Sequence, residues 1–358
     1  MPFAREPARP TGQPDTTAIL LCNLGTPAAP TTSAVRRFLA EFLGDPRVVE
    51  IPRPIWWLIL HGVILRVRPR QSAARYASIW TPDGSPLVTW TERQAKRLAG
   101  NLGERGHRVL VRTAMRYGQP SIPAVLDELK AAGATRILVL PLYPQYAAST
   151  TASVVDAVQA WSRRVRALPE FRFVNRFHDD AGYVDAVARR ITDHWAREGR
   201  PDRLVMSFHG IPRRSIDLGD PYEAECMETA RLVAARLGLA ADAFTVTFQS
   251  RLGRAEWLQP YTEPTLAKLA REGVRRVDVV CPGFTSDNLE TLEEIDQEAR
   301  AAFLGAGGRH FHFIPCLNDQ VDWIRALTAL AERHLQGWDT RAAAGSARGA
   351  APAAAATA

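Results

Sequence analysis

Two stretches decide the fold: "VRTAMRYGQP" (111–120) running on to "VLDELKAAGATRILVLPLYP" (125–144), and "VTFQSRLGRA" (246–255) running on to "TLAKLAREGVRRVDVVCPGF" (265–284). Each is an apolar run, a turn, an amphipathic stretch and a second apolar run. Arg116-Tyr117-Gly118 falls in line with Arg251-Leu252-Gly253. Upstream of each copy another apolar run ends alike, in Leu24-Gly25-Thr26-Pro27 and in His209-Gly210-Ile211-Pro212. The chain therefore carries one plan twice.

Strands are expected at 18–24, 108–115, 136–142, 172–177, 203–209, 244–250 and 276–282, with helices such as 121–133 and 263–273 between them. That alternation argues for α/β domains with parallel sheets flanked by helices on both faces. The expected division is a disordered N-terminal segment at 1–17, similar domains at 18–165 and 166–335, and a disordered Ala-rich tail at 336–358. In open parallel sheets the ligand crevice lies beyond the carboxyl ends of the strands. Two such domains face to face would put Leu24 and His209 on opposite walls of one cleft.

Composition removes several functions. With 358 residues and 46% hydrophobic content, two folded domains are affordable in core material. The N-terminal "MPFAREPARPTGQPDTT" has no apolar centre of a secretory signal, and no run reaches the ~18 apolar residues of a membrane span. Cys22, Cys226, Cys281 and Cys316 stand far apart. They form no CxxC pair of a zinc or redox site and read as reduced, cytoplasmic thiols. Net charge is +7, yet the basic residues are scattered arginines with only three lysines, so no nucleic-acid partner is expected. Neither half has G-x-G-x-x-G or G-x-x-x-x-G-K-[ST], so no nucleotide fingerprint is present.

Three features carry chemistry. The first is "CPGFTSDNLETLEEIDQEAR" (281–300), with six acids. On an α-helix starting near Asp287, the residues Asp287, Glu290, Glu294 and Glu298 share an arc of about 80°. An N-cap at Asp287 with Glu290 as its N3 partner explains part of this, and solvation the rest. A row aimed at a cation is the other reading, favoured slightly by the like charges four apart. The second is His209, which alone of eight histidines closes an apolar strand and opens a Gly-x-Pro turn. Imidazole there can serve as a base near neutral pH or ligate a borderline metal, or simply finish a strand with a hydrogen bond. The third is "RPIWWLILHGVILRVRPR" (53–70), an apolar centre flanked by arginines. It reads either as a buried helix or as a lip resting on an anionic membrane surface.

"NLGTP" (23–27), "YPQY" with "STT" (143–151), "SFHGIP" (207–212), "GDPY" (219–222), "TFQSRLGRAEWLQPYT" (247–262) and "CPGFTSDNLETLEEID" (281–296) together resemble the ferrochelatase family over about 17–335. The resemblance implies two Rossmann-like domains around a porphyrin cleft. It implies insertion of Fe²⁺ into protoporphyrin to give protohaem, with no cofactor beyond the substrate iron. Residue by residue, it implies that His209 and Glu290 form the catalytic iron site and that Asp287 and Glu294 line a proton or metal path. It also implies that Ser85 and Arg116 contact the propionates, and that Tyr143, Tyr146 and Trp257 line the cleft. Leu24 stands where some relatives have Tyr or Met; packing on the macrocycle is retained there, metal ligation is not. No cysteine follows Cys316, so no [2Fe–2S] cluster is expected. On this reading Glu293, Asp296 and Glu298 form the wet side of the helix, and the protein works in the cytoplasm, at the inner face of the membrane if 53–70 rests there. Two alternatives stay open: a chelatase for cobalt or nickel and another tetrapyrrole, or a porphyrin-binding protein without catalysis.

Overall fold

A computed structural model describes residues 3, 5–7, 15–251, 253 and 255–341. The strands are β1 (Thr16–Gly25), β2 (Val109–Tyr117), β3 (Ala134–Pro141), β4 (Glu170–Phe173), β5 (Arg203–His209), β6 (Phe244–Gln249), β7 (Arg276–Val280) and β8 (His310–Ile314). They form two parallel four-stranded sheets, ordered β2-β1-β3-β4 and β6-β5-β7-β8. The second order repeats the first strand for strand, so the fold is the expected pair of helix-flanked α/β halves.

The central strands are apolar because both of their faces are covered. Ala18, Ile19, Leu20, Leu21 and Cys22 of β1 are all fully buried. Burial of each Leu or Ile stabilises the fold by about 1.5–3 kcal/mol. Helix starts follow local chemistry: the Ser121 hydroxyl accepts from Ala124 N, with Pro123 in the first turn of the helix Ile122–Ala131.

The halves join through polar plugs as well as apolar contact. Gln94, fully buried on the helix Pro86–Glu104, donates from Nε2 to Thr285 O, Ser286 Oγ and Asn318 O in the second half. Leu289 and Leu292 of the second half pack on the cluster of Val35, Phe38, Tyr76 and Tyr117 in the first, beside Leu24.

Three expectations shift. β4 pairs with β3, so the first sheet runs past 165 and the crossing between halves follows Phe173. The hydrophobic pattern located the strand but not its sheet, because either edge would have buried it. β1 begins at Thr16, inside the segment expected to be disordered, and Glu6 there pairs with Lys130. After the helix Val321–Leu335 the chain stays packed: Trp338 is buried and His107 Nδ1 lies 2.7 Å from Thr340 Oγ1. The rest of the Ala-rich tail lies outside the described residues.

The repeat itself needs realignment. Met115 N donates to Pro120 O, and Phe248 N donates to Pro260 O, which makes these the matching positions. Counting from them, Leu24 does correspond to His209, but Arg116 corresponds to Gln249 rather than to Arg251. The second copy has a longer turn before its proline, and the sequence match slipped by two residues across it.

Candidate active site

β5 delivers His209 to the carboxyl end of its sheet, where it pairs in register with Gln249 of β6. Gly210 follows because a Cβ there would stand 2.8 Å from Gln249 O and 3.3 Å from the Trp257 ring. Trp257 closes on this turn through the Pro212–Trp257 bridge, and its buried indole N–H has no hydrogen-bond partner. The His209 ring meets Phe284 edge to face, centroids 6.3 Å apart. Burial lowers the His209 pKa from its ordinary value to about 4, so the imidazole is neutral at physiological pH.

The acidic stretch is not an α-helix from Asp287. Residues Glu290–Ala299 form a π-helix, with i→i+5 hydrogen bonding over ten residues. Such geometry is rare, and where it occurs it is frequently at a functional site. Asp287 lies before the helix and does not cap it. It is 5% exposed, and its carboxylate accepts from Cys316 N at 3.0 Å, Asn318 Nδ2 at 2.7 Å and Thr291 Oγ1 at 3.3 Å. The expected Asp287–Glu290 capping pair is therefore absent; Asn288 Oδ1 instead accepts from Thr291 N.

Gln249 links His209 to the acids. Its Nε2 donates to Glu290 O at 2.8 Å and to Glu294 Oε2 at 3.3 Å. Ser250 adds two more bonds to Glu294, from its backbone N at 2.6 Å and from its hydroxyl at 2.5 Å. Burial pushes Glu290 up to about 7, with the charges of Glu294 and Glu293 adding to it. Burial likewise raises Glu294, while the Ser250 and Gln249 bonds oppose that. The charge of Glu294 thus raises both Glu290 and Glu293 beyond what burial does.

Glu293 corrects the expected wet side. It is buried, 6% exposed, and Arg75 of the first half stands 3.5 Å from it while holding Glu298 at 2.5 Å. Burial raises Glu293 to about 6, against the pull of Arg75. Asp296 pairs with Arg300 and Glu298 is exposed, as expected of them.

In the first half Leu24, the last residue but one of β1, is half-buried against the Tyr76 cluster. Tyr76 is buried close enough to Glu290 to feel its charge; burial first, and that charge second, raise its phenol well above the usual range. Ser85 is buried and donates to Thr26 Oγ1 at 3.1 Å. Arg116 bonds Asp45 Oδ2 at 2.5 Å and Ser153 Oγ at 2.6 Å, leaving about a fifth of its side chain exposed. Tyr143 is half-buried with an unbonded hydroxyl, and Tyr146 lies under the Arg176 guanidinium at 5.4 Å. Gln249, Ser250, Tyr76 and Arg75 escaped the sequence reading. Only the exceptional left-handed φ of Ser250, +69°, could have singled one out, and sequence does not show it.

The stretch 53–70 is not a buried helix. It runs as the helix Arg53–Ile59, a π turn at Leu60–Ile64 and the start of the helix Leu65–Ile79. Trp56, Leu60 and Leu65 are buried, but Trp57, Leu58, Val63 and Val67 are 60%, 65%, 58% and 71% exposed. Among the described residues no helix is long and apolar enough to cross a membrane.

Comparison with known proteins gives a consistent family. Residues 16–335 match the family model described as Ferrochelatase. A curated protein named Ferrochelatase from Methylibium petroleiphilum is 66% identical over 343 residues, 96% of this chain and 94% of its own length. Its namesake from Polaromonas sp. is 64% identical over 346 residues, 96% of this chain and 94% of its own. Among solved structures, SirB from Bacillus subtilis with Fe³⁺ superposes with a TM-score of 0.54 at 14% identity, covering 89% of this chain and 95% of that one. At that identity the likeness shows the fold alone.

Proposed function

We infer the division of labour in the cleft from one premise: the chain belongs to the ferrochelatase family, lyases that insert Fe²⁺ into protoporphyrin to form protohaem. Iron and porphyrin are its substrates. Insertion releases two protons from the pyrrole nitrogens, and the difficulty is to reach flat, rigid N–H groups and lone pairs at once.

His209 and Glu290 are the acceptors in our reading. A neutral imidazole can take a pyrrole proton or hold iron, and a carboxylate poised near neutrality can do the same. The observation that carries this is Gln249, which ties the strand position paired with His209 to the backbone of Glu290. Glu294, fixed by three donors, passes protons or Fe²⁺ outward. Asp287, with every bond committed to the 316–318 loop and Thr291, anchors the inner end of that path.

Leu24, Tyr143, Tyr146 and Trp257 supply apolar walls for the macrocycle, and Ser85 and the exposed edge of Arg116 meet its propionates. The exposed apolar face at Trp57, Leu58, Val63 and Val67, with arginines beside it, rests on an anionic membrane surface, where an apolar porphyrin dissolves. The protein works in the cytoplasm at the inner face of that membrane and needs no cofactor or iron–sulfur cluster.

An anaerobic assay following porphyrin absorbance tests the site. His209→Ala should bind porphyrin with a folded structure and insert no Fe²⁺. Normal turnover in that variant would remove His209 from the chemistry.

A further inference from the structure

The second sheet carries a cluster that iron insertion does not use. Asp278 lies in mid-β7, fully buried, and pairs in register with His312 on β8. His194 comes down onto them from the helix Ala181–Glu198 and is 9% exposed. One ring nitrogen of each histidine and one carboxylate oxygen all lie within 4.8 Å of one another.

The decisive detail is His194 Nε2. It stands 3.5 Å from Asp278 Oδ2, yet it has no hydrogen-bond partner. Buried ring nitrogens are normally bonded, and an orphan calls for an explanation. Two ligands each about 2.0–2.2 Å from a tetrahedral ion stand roughly 3.3–3.5 Å apart. The observed separation matches that of two ligands around an ion. The two imidazoles meet edge to face, with centroids 5.3 Å apart.

We propose that His194, Asp278 and His312 form a second metal site, separate from the cleft, that takes a borderline divalent cation such as Zn²⁺. Two imidazoles and one carboxylate, with a position left for water, suit such a cation. The carboxylate is already oriented by outer partners, as metal-ligating carboxylates are. Trp195 Nε1 donates to Oδ2 at 3.0 Å, and Arg276 Nε donates to Oδ1 at 3.1 Å. Arg276 Nη2 also reaches Oδ2, at 3.3 Å, so the bound cation competes with that contact. Arg276 is anchored by Glu198 O and Gly199 O and keeps the Oδ1 side. Its positive charge weakens the site, which makes the cation exchangeable. When bound, the ion pins the helix to both strands.

Calorimetric Zn²⁺ titration of the full chain tests this, in a His209→Ala, Glu290→Gln, Glu294→Gln background that removes the metal-binding groups proposed for the cleft. The expected result is one equivalent bound, with a Tm that rises with Zn²⁺ because the ion binds only the folded state. Adding His312→Ala or His194→Gln should lower the affinity at least about tenfold and abolish the Tm rise. Adding His310→Ala, at the exposed neighbour, should change neither. Equal binding after His312→Ala, or no binding in the background protein, overturns the proposal. Far-ultraviolet circular dichroism without metal reports folding, and His312→Gln makes the same comparison if the alanine variant does not fold.

Discussion

Ser250 grips Glu294 twice, through its backbone N–H and through its hydroxyl, at 2.6 and 2.5 Å. To do so it adopts φ +69°, a conformation that costs a non-glycine residue about 1–2 kcal/mol. The strain and the grip separate by substitution. Ser250→Ala keeps the strain and loses the hydroxyl bond, so it should destabilise the fold by about 1 kcal/mol. Ser250→Gly loses the same bond but relieves the strain, and should be the more stable of the two by urea unfolding. Both should slow iron insertion to a similar extent, because each leaves Glu294 Oε2 with only its longer bond from Gln249. An order of activity that followed stability instead would show that the grip has no part in the chemistry.

The acids should set the acid limb of the pH profile. Glu290 is raised to about 7 by burial and by the charges of Glu294 and Glu293. If its carboxylate form receives the iron or the proton, kcat/KM for Fe²⁺ rises with pH through that region. Glu294→Gln removes one of the charges that raise Glu290, so the limb should move to lower pH. Glu290→Gln should cost far more turnover than Glu298→Gln; equal losses would return the row to ordinary helix surface. The stability linkage has the opposite sense. A raised carboxyl favours the folded state below its unfolded pKa of about 4.3, and that advantage is lost as pH rises to about 7. Glu290→Gln should therefore stabilise the protein at pH 8.

Asp45 holds Arg116 in place in the first half. Burial opposes its charge, but bonds from Ser153, Arg47 N and Tyr117, with the charge of Arg116, hold its carboxyl below the usual range. Asp45→Asn leaves Arg116 uncompensated and should cost about 3 kcal/mol at neutral pH, read from chemical unfolding. Because the pKa is depressed, the wild-type advantage is present above pH ~4 and disappears as pH falls through the lowered value. A constant difference between wild type and variant from pH 7 to pH 3 would exclude the linkage.

Liposome sedimentation separates the two neighbouring tryptophans. Trp57→Ser with Leu58→Ser should lose binding to anionic vesicles and leave the Tm unchanged, since both side chains are exposed. Trp56→Ser should instead lower the Tm, because its ring is buried and its indole N–H donates to Leu43 O at 2.6 Å. Vesicle binding that survives the Trp57 and Leu58 double change would argue against a membrane-facing lip.

Seven of the eight strands, the duplicated plan and the place of His209 were legible because they rest on local hydrophobic pattern and turn chemistry; the short edge strand His310–Ile314 was not among the expected strands. Asp287 and the Glu290 row were legible as acids but not in their environments. The π-helix packs Leu292 on the Tyr76 cluster and Ile295 and Ala299 into the second half's core, and no period in the sequence announces its geometry. Glu293 looked solvated because its partner, Arg75, lies more than two hundred positions away and in the other half. Gln249 was hidden by a turn of unequal length in the two copies, and β4 by an edge that either sheet could have offered. His194, Asp278 and His312 sit on three separate elements, so no spacing rule joins them.

The matched positions Leu24 and His209 have a consequence for the substrate. Duplication alone would give two like walls, with the same group at the end of each first strand. Here one copy ends in a hydrocarbon and its counterpart in a base, and Arg116 in one is Gln249 in the other. A porphyrin ring is nearly alike on its two faces, but these two strand ends are not. On the proposed reading a ring held between them has its faces labelled: one meets an inert wall, the other the proposed proton acceptor. A flat molecule with no preferred side acquires one from the protein.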